Sequence, residues 1–423
     1  MKRRIKIVII GAGSTYTPEL IEGLILRSEK LDISELALMD IDPEKLEIVG
    51  NMAKRMLEAV HIGWKVNFYN NYDCIVNADY VITQIRVGKL EARIRDEKIP
   101  LKYGLIGQET CGIGGFFKAM RTIPVLHTIA DKMEKLCPDA VMINFTNPSG
   151  IVAQSLQRKA IRSVGLCNCP YAMEKSVKEE LNLPDADIEY VGLNHLSWIT
   201  AIRRGGKDYL EDAINSGVNS VAMKNIPANG FDVNVLRAAR GIPSTYLEYY
   251  YYKFSKLKKL QSEPLSRGEV CRNLEKELLE MYKDPKLCKK PKELEQRGGA
   301  YYSTVAVELL EAIENDRQTR HVVNVRNDGA LPFMEPDDVI ECAAIVGRDE
   351  INPIKIDQFD NEHIIGLMRQ MKAYEKLAVE AALTGERDIA LSALMLNPLC
   401  GDYYAVRDCY DEMHEANKEF LLK

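Results

Sequence analysis

Short continuous apolar runs alternate with helical spacing through the first half of this chain, and the pattern changes near the middle. In KIVII (residues 6–10) an unbroken apolar run follows Lys6, as expected of a strand buried on both faces. ELALMD (residues 35–40) predicts a second strand, and residues 66–69, 80–85, 141–145 and 163–166 predict four more. Helical spacing runs through Ile21, Leu24 and Ile25, and again over residues 116–136 and 151–159. Pro43 suits the first turn of a further helix, where its missing N–H costs nothing. Strands and helices in alternation predict a parallel sheet covered on both faces.

Beyond about Gly192 helical patterns dominate, over residues 231–239, 244–259, 266–281, 302–313 and 362–384. Strand-like pieces at residues 197–203, 321–325 and 339–346 interrupt them, which predicts a mixed α+β lobe. Residues 284–296, with Pro285 and Pro291, predict an exposed loop. The expected division is residues 1–192 for a dinucleotide-binding domain and 193–423 for a substrate and catalytic domain.

A length of 423 residues with 46% hydrophobic residues supports two such units with sizeable cores. A net charge of −6 without a long basic run argues against nucleic acid as partner. No apolar stretch approaches the roughly 18 residues of a membrane span. The start MKRRIK followed by an apolar run mimics an export signal, but the run is short and ends in a glycine turn, so a first strand is the better reading. The ten scattered Cys lack the spacing of a disulfide framework, which points to reduced thiols in a cytoplasm.

Gly11 and Gly13 lie between the first strand and its helix, where glycine lets the backbone approach a pyrophosphate at a helix N-terminus. The third glycine of that fingerprint is replaced by Tyr16. Asp40 closes the second strand, where a carboxylate accepts from ribose hydroxyls and repels a 2′-phosphate; it also suits a helix N-cap before Pro43. The candidate NAD residues are Gly11, Gly13, Ser14, Thr15 and Asp40, on a Rossmann-type doubly wound sheet.

Longer motifs follow: Arg86–Lys89 with Arg93, IPLKYGLIGQETCGIGG, NFTNPSG, GLCNCP, GLNHLSW, PSTYLEYY and RGGAYYS. In content and order they resemble glycoside hydrolase family 4 over nearly the whole chain. The resemblance implies a lactate/malate dehydrogenase-like fold and a redox route to glycoside cleavage, outside the usual pair of carboxylates. In that chemistry C3 of the sugar is oxidised by NAD⁺, the acidified C2 proton is removed, the aglycone leaves, water adds, and the hydride returns. A Lewis acid at the C2 and C3 oxygens is needed, and Mn²⁺ is the usual family metal.

Cys167 and His195 match the family's metal ligands, although by spacing alone they read as a buried thiol and a core histidine. Tyr246 matches the base for the C2 proton and Glu109 the residue that raises its basicity; the other tyrosines of that patch read as packing. Asn168 stands where the 6-phospho-α-glucosidase branch carries an acidic residue, so it favours 6-phospho-β-glucosides and leaves the general acid unassigned. Arg93, Asn147 and Arg267 match substrate contacts, with Arg121 and Arg326 as further candidates. The resemblance also implies a homodimer or homotetramer. Competing readings are a 6-phospho-α-glucosidase, α-galactosidase or α-glucuronidase of the family, a 2-hydroxy-acid dehydrogenase, and a non-catalytic sugar or NAD sensor.

Overall fold

Runs of β-branched and leucine residues become strands because both faces of the sheet are covered; Ile5, Ile7, Val8 and Ile9 have no exposed surface. The computed structural model describes residues 3–217, 230–298 and 301–422; Gly299 and Ala300 of the RGGAYYS motif, and Met1 and Lys2, lie outside the described residues. The strands are β1 (Ile5–Ile10), β2 (Ile33–Met39), β3 (Lys65–Tyr69), β4 (Tyr80–Thr83), β5 (Val141–Asn144), β6 (Arg162–Gly165), β7 (Asp187–Leu193), β8 (Leu196–Arg204), β9 (Lys207–Asp208), β10 (Ile242–Pro243), β11 (Thr319–Arg326), β12 (Val339–Val346) and β13 (Ile351–Pro353). Helices α1 (Thr17–Leu26), α2 (Pro43–Ala59), α3 (Lys89–Lys98), α4 (Gly112–Leu136), α5 (Ser149–Leu156) and α6 (Cys169–Glu180) belong to the first half. Pro43 opens α2 as expected, and the Asp42 side chain caps it by accepting from the Lys45 N–H at 3.2 Å.

The main sheet runs β13-β12-β11-β6-β5-β4-β1-β2-β3. Strands β1 to β6 are parallel, and the order reverses between β1 and β4. In a doubly wound sheet the crevice outside the strand carboxyl ends at that reversal is the ligand site. The fold is thus the expected α/β Rossmann-type sheet followed by an α+β portion.

The sheet continues across the expected division at residue 192. Strands β11 to β13 return from the second half as an antiparallel extension, joined to β6 at Asn324 and Gly165. Gly165 permits this join, since a Cβ there would stand 2.9 Å from the Asn324 Cβ. A smaller sheet, β10-β8-β7 with β9 on β8, packs its β7 strand against β12.

The helix expected over residues 244–259 is broken into a tight turn at Thr245–Leu247, a short helix at Glu248–Tyr251 and a helix at Lys253–Ser262. Its tyrosines face different partners and share no single stripe. Tyr251 accepts from Trp198 Nε1 at 3.0 Å, and Tyr252 stacks on Phe231. All ten cysteines are free thiols, and among the described residues no helix is long and apolar enough to cross a membrane.

Candidate active site

Five parallel strands end at one cleft of about 540 Å³, β2 contributing Asp40. Gly11 and Gly13 follow β1, Gln84 and Arg86 follow β4, Asn147 follows β5, and Cys167 and Asn168 follow β6; all line the cleft. The lining also includes His195 from the β7–β8 turn, Tyr246, Glu109, and Lys118 from α4.

At one end the backbone itself is the binding element. Gly11 has φ +90°, and a Cβ there would stand 2.8 Å from the Gln84 carbonyl oxygen. The Gly13 N–H donates to Asp40 Oδ2 at 2.8 Å, and a Cβ on Gly13 would stand 2.9 Å from that oxygen. Asp40 Oδ1 accepts from the Asp42 N–H at 2.9 Å. Burial raises the Asp40 pKa while these backbone donors oppose the rise. A side-chain-free turn at the start of α1 with a carboxylate beside it fits a dinucleotide. Ser14 lines the cleft, whereas Thr15 is buried off its wall, with its carbonyl accepting from the Tyr282 hydroxyl at 2.8 Å. Tyr16, in place of the third glycine, lies 5.5 Å from Tyr302, ring to ring, and under the Arg297 guanidinium at 5.1 Å.

Further along, Cys167 Sγ lies 3.6 Å from His195 Nε2. His195 sits in the tight turn where Leu193 pairs with Leu196, at φ +66°, a left-handed conformation that histidine adopts more readily than most residues. Its Nδ1 meets Thr110 Oγ1 at 2.8 Å, and Gln108 Oε1 in turn accepts from that hydroxyl at 2.7 Å. Burial lowers the His195 pKa to about 3, leaving a neutral imidazole. Burial also pushes the Cys167 thiol well above its ordinary value, with Glu341 adding to the effect, so a cation is needed to hold the thiolate. Among the described residues no group of three or more His, Cys, Asp or Glu is placed to hold a metal. One thiol and one imidazole, with further positions open to substrate and water, fit a catalytic divalent cation better than a closed structural site.

The Tyr246 ring stacks on His195, with centroids 3.6 Å apart. Burial raises the Tyr246 phenol well above its ordinary pKa, and Cys167, Cys169, Cys111 and Glu109 push the same way. Glu109 accepts from Arg86 at 2.5 Å and from Lys118 at 2.8 Å on Oε2, while Arg93 lies 3.1 Å from Oε1. Burial alone would raise the Glu109 carboxyl, but these three cations hold it well below the usual range. Burial, with Arg86 nearby, lowers the Lys118 pKa to about 7 despite Glu109.

Arg93 and Asn147 line the cleft as expected, although Arg93 is already paired with Glu97 at 2.7 Å and with Glu109. Arg267 is not brought to the wall; it donates to the carbonyls of Gln296 and Arg297, both at 2.9 Å, and so supports Arg297, which does line the cleft. Arg121 is buried against Asp96 and Asn417, and Arg326 is half-exposed beside Asp328. Neither reaches the cleft.

Sequence reasoning quoted Arg86 and Thr110 within motifs but gave them no role, and it passed over Lys118 and Glu341. Lys118 was visible as one charge in the apolar run GIGGFFKAM, and Glu341 as one charge in VIECAAIV. Glu341 is close enough to act on the Cys167 thiol, and it accepts from Asn194 at 2.9 Å, Asn324 at 3.2 Å and Tyr190 at 3.2 Å. Burial raises it to about 7 against those donors.

The profile "Family 4 glycosyl hydrolase" matches residues 6–183, and "Family 4 glycosyl hydrolase C-terminal domain" matches residues 190–400. A 6-phospho-beta-glucosidase from Escherichia coli (strain K12) is 41% identical over 417 residues, covering 94% of this chain and 92% of that one. The solved 6-phospho-beta glucosidase from Thermotoga maritima with manganese, NAD⁺ and glucose-6-phosphate superposes with a TM-score of 0.90 at 35% identity, over 99% of both chains. A lactate dehydrogenase from a deep-sea metagenome library shares the fold alone, with a TM-score of 0.56 at 13% identity over 89% of this chain and 99% of that one. With the two family models together matching most of its length, this chain belongs to glycosyl hydrolase family 4.

Proposed function

We propose that the protein hydrolyses 6-phospho-β-glucosides, with NAD and a divalent cation such as Mn²⁺ as cofactors. The observation that carries this reading is the Cys167–His195 pair, stacked on Tyr246 and opening on the same cleft as the Gly11–Gly13 turn. When bound, NAD supplies a reversible hydride acceptor for C3 of the sugar, and the cation supplies charge that polarises the oxygens at C2 and C3. Gly11, Gly13 and Ser14 admit the pyrophosphate, and Asp40 holds the ribose. Cys167 Sγ and His195 Nε2 are the cation's donors, with Thr110 fixing the imidazole through Nδ1.

Tyr246 Oη takes the C2 proton of the sugar, and Glu109 strengthens it as a base by disfavouring loss of the phenolic proton. Arg86 and Arg93 carry fixed positive charge beside Glu109 and Glu97, and Lys118, with its pKa lowered to about 7, gains its proton as an anion approaches. This favours an anionic sugar, with Arg93 and Asn147 as direct contacts and Arg267 acting through the Arg297 segment. Asn168 beside Cys167 has no acidic proton for the leaving group, which favours the β anomer. A phosphorylated glucoside places the reaction in the cytoplasm of a cell that phosphorylates sugars on import.

The test is a panel of nitrophenyl glucosides, α and β, with and without 6-phosphate, in NAD⁺ and Mn²⁺. The 6-phospho-β-glucoside is the expected best substrate. Equal efficiency without the phosphate overturns the substrate class, and faster α cleavage overturns the anomer.

A further inference from the structure

The helix at Tyr403–Asn417 ends on an unusually well-anchored residue. Arg121, buried in α4, donates through Nη1 to Asn417 Oδ1 at 2.9 Å and to Asp96 Oδ1 at 2.9 Å, and through Nη2 to Asp96 Oδ2 at 2.6 Å. Asn417 also donates to the Met413 carbonyl at 2.7 Å. The chain then reverses, with the Phe420 N–H donating to the Asn417 carbonyl at 2.9 Å. A buried arginine–aspartate pair in the interior of the molecule therefore sets where Phe420 lies.

Phe420 is half-buried, stands outside the hydrophobic core and lines the cleft. Its ring lies over Gly88, where a Cβ would come within 3.2 Å of Phe420 Cε2. Gly88 has φ +80°, and the next residue, Lys89, reaches Asp42 Oδ2 at 2.9 Å, two residues from Asp40. Phe420 is thus tied to the Asp40 end of the cleft, away from Cys167 and His195.

Apolar side chains stand among the charged ones at that end. Ile41 is 78% exposed directly after Asp40, and Val87, Val125 and Ile129 line the same cleft. An exposed isoleucine and a phenylalanine held outside the core make poor packing but a good wall for a flat aromatic ligand. If Asp40 holds the ribose, the planar base attached to that ribose is what reaches these side chains.

We infer that Phe420, placed by the Arg121–Asp96–Asn417 network, forms a wall of the adenine pocket, so that the turn after the helix Tyr403–Asn417 is part of the cofactor site. The inference rests on the NAD reading above. Ring–base stacking is sequence-tolerant and contributes enough for loss of the ring to weaken binding roughly tenfold.

The test is binding, not turnover. Dissociation constants for NAD⁺, AMP and nicotinamide mononucleotide are measured by calorimetry on the full chain and on Phe420→Ala, Phe420→Leu and Phe420→Trp, with thermal melting as a check on folding. Phe420→Ala and Phe420→Leu are expected to weaken NAD⁺ and AMP about tenfold and leave the mononucleotide unchanged, and Phe420→Trp to restore both. Phe420→Leu keeps an apolar group on Gly88, so a purely structural role predicts wild-type AMP affinity for it. Unchanged AMP affinity in Phe420→Leu overturns the inference, as does equal weakening of the mononucleotide. Wild-type protein that binds neither NAD⁺ nor AMP overturns the NAD reading as well.

Discussion

The imidazole of His195 lies flat on the phenol ring of Tyr246, with centroids 3.6 Å apart and planes 11° from parallel. In the proposed arrangement a metal-ligating nitrogen and a base are thereby held by one contact, and neither ring turns without disturbing the other. Tyr246→Phe keeps the stack and removes only the hydroxyl. Mn²⁺ affinity should be retained while turnover falls by about two to four orders of magnitude, the usual range for a positioned base. Tyr246→Ala should lose both. Because the phenol is raised well above its ordinary pKa, its basic form grows as pH rises, so solvent exchange at sugar C2 should accelerate toward alkaline pH. Deuterium incorporation measured across pH checks this.

Thr110 reaches the far nitrogen of His195 and touches neither sugar nor cofactor in the proposed arrangement. Thr110→Val should weaken Mn²⁺ roughly 10–100-fold, as loss of an outer partner of a metal-ligating histidine does. Cys167→Ser should weaken it further. The wild-type thiol is protonated without metal, so Mn²⁺ binding should release a proton and tighten as pH rises. Calorimetry in buffers of different ionisation enthalpy detects that proton, and Cys167→Ser should abolish it.

A methyl group on Gly13 meets the Asp40 carboxylate directly. Gly13→Ala should push that carboxylate off the Gly13 N–H and lower NAD⁺ affinity, with a smaller effect on Mn²⁺ binding. Titration of each ligand separately distinguishes this local change from general unfolding.

His321, away from the cleft, reports on the fold. Its Nε2 lies 2.9 Å from Thr319 Oγ1, and burial, with Arg320 beside it, lowers its pKa to about 4. The unfolded chain takes up that proton near pH 6.5. Between about pH 6.5 and 4 the unfolded state therefore binds more protons, and stability should fall as pH falls. Melting temperatures across that window should show a shallower slope for His321→Gln than for wild type.

The first sheet was legible in the sequence because parallel strands buried on both faces read as unbroken apolar runs, and glycine turns mark their ends. The return of β11 to β6 was not legible. Residues 321–325 have the pattern of any half-buried strand, and the join at Asn324 and Gly165 leaves no mark beyond one glycine. Cys167, His195 and Tyr246 are proposed for the site through their motifs, not their spacing, since Cys167 and His195 meet only after β6 and the β7–β8 turn are folded. The three cations around Glu109 come from β4's end, α3 and α4, and convergence of that kind has no local signature. Arg121 shows the reverse case. An arginine in a motif-rich segment suggested substrate, and the structure uses it to anchor Asn417.

Cofactor dependence in a reaction without net oxidation is the central claim, and one measurement tests it most directly. Dialysed, chelator-treated protein is given a nitrophenyl 6-phospho-β-glucoside, and release of nitrophenol is followed with NAD⁺ alone, Mn²⁺ alone and both. The account predicts release only with both, and no net accumulation of NADH. Undiminished release in excess chelator without NAD⁺ would contradict it.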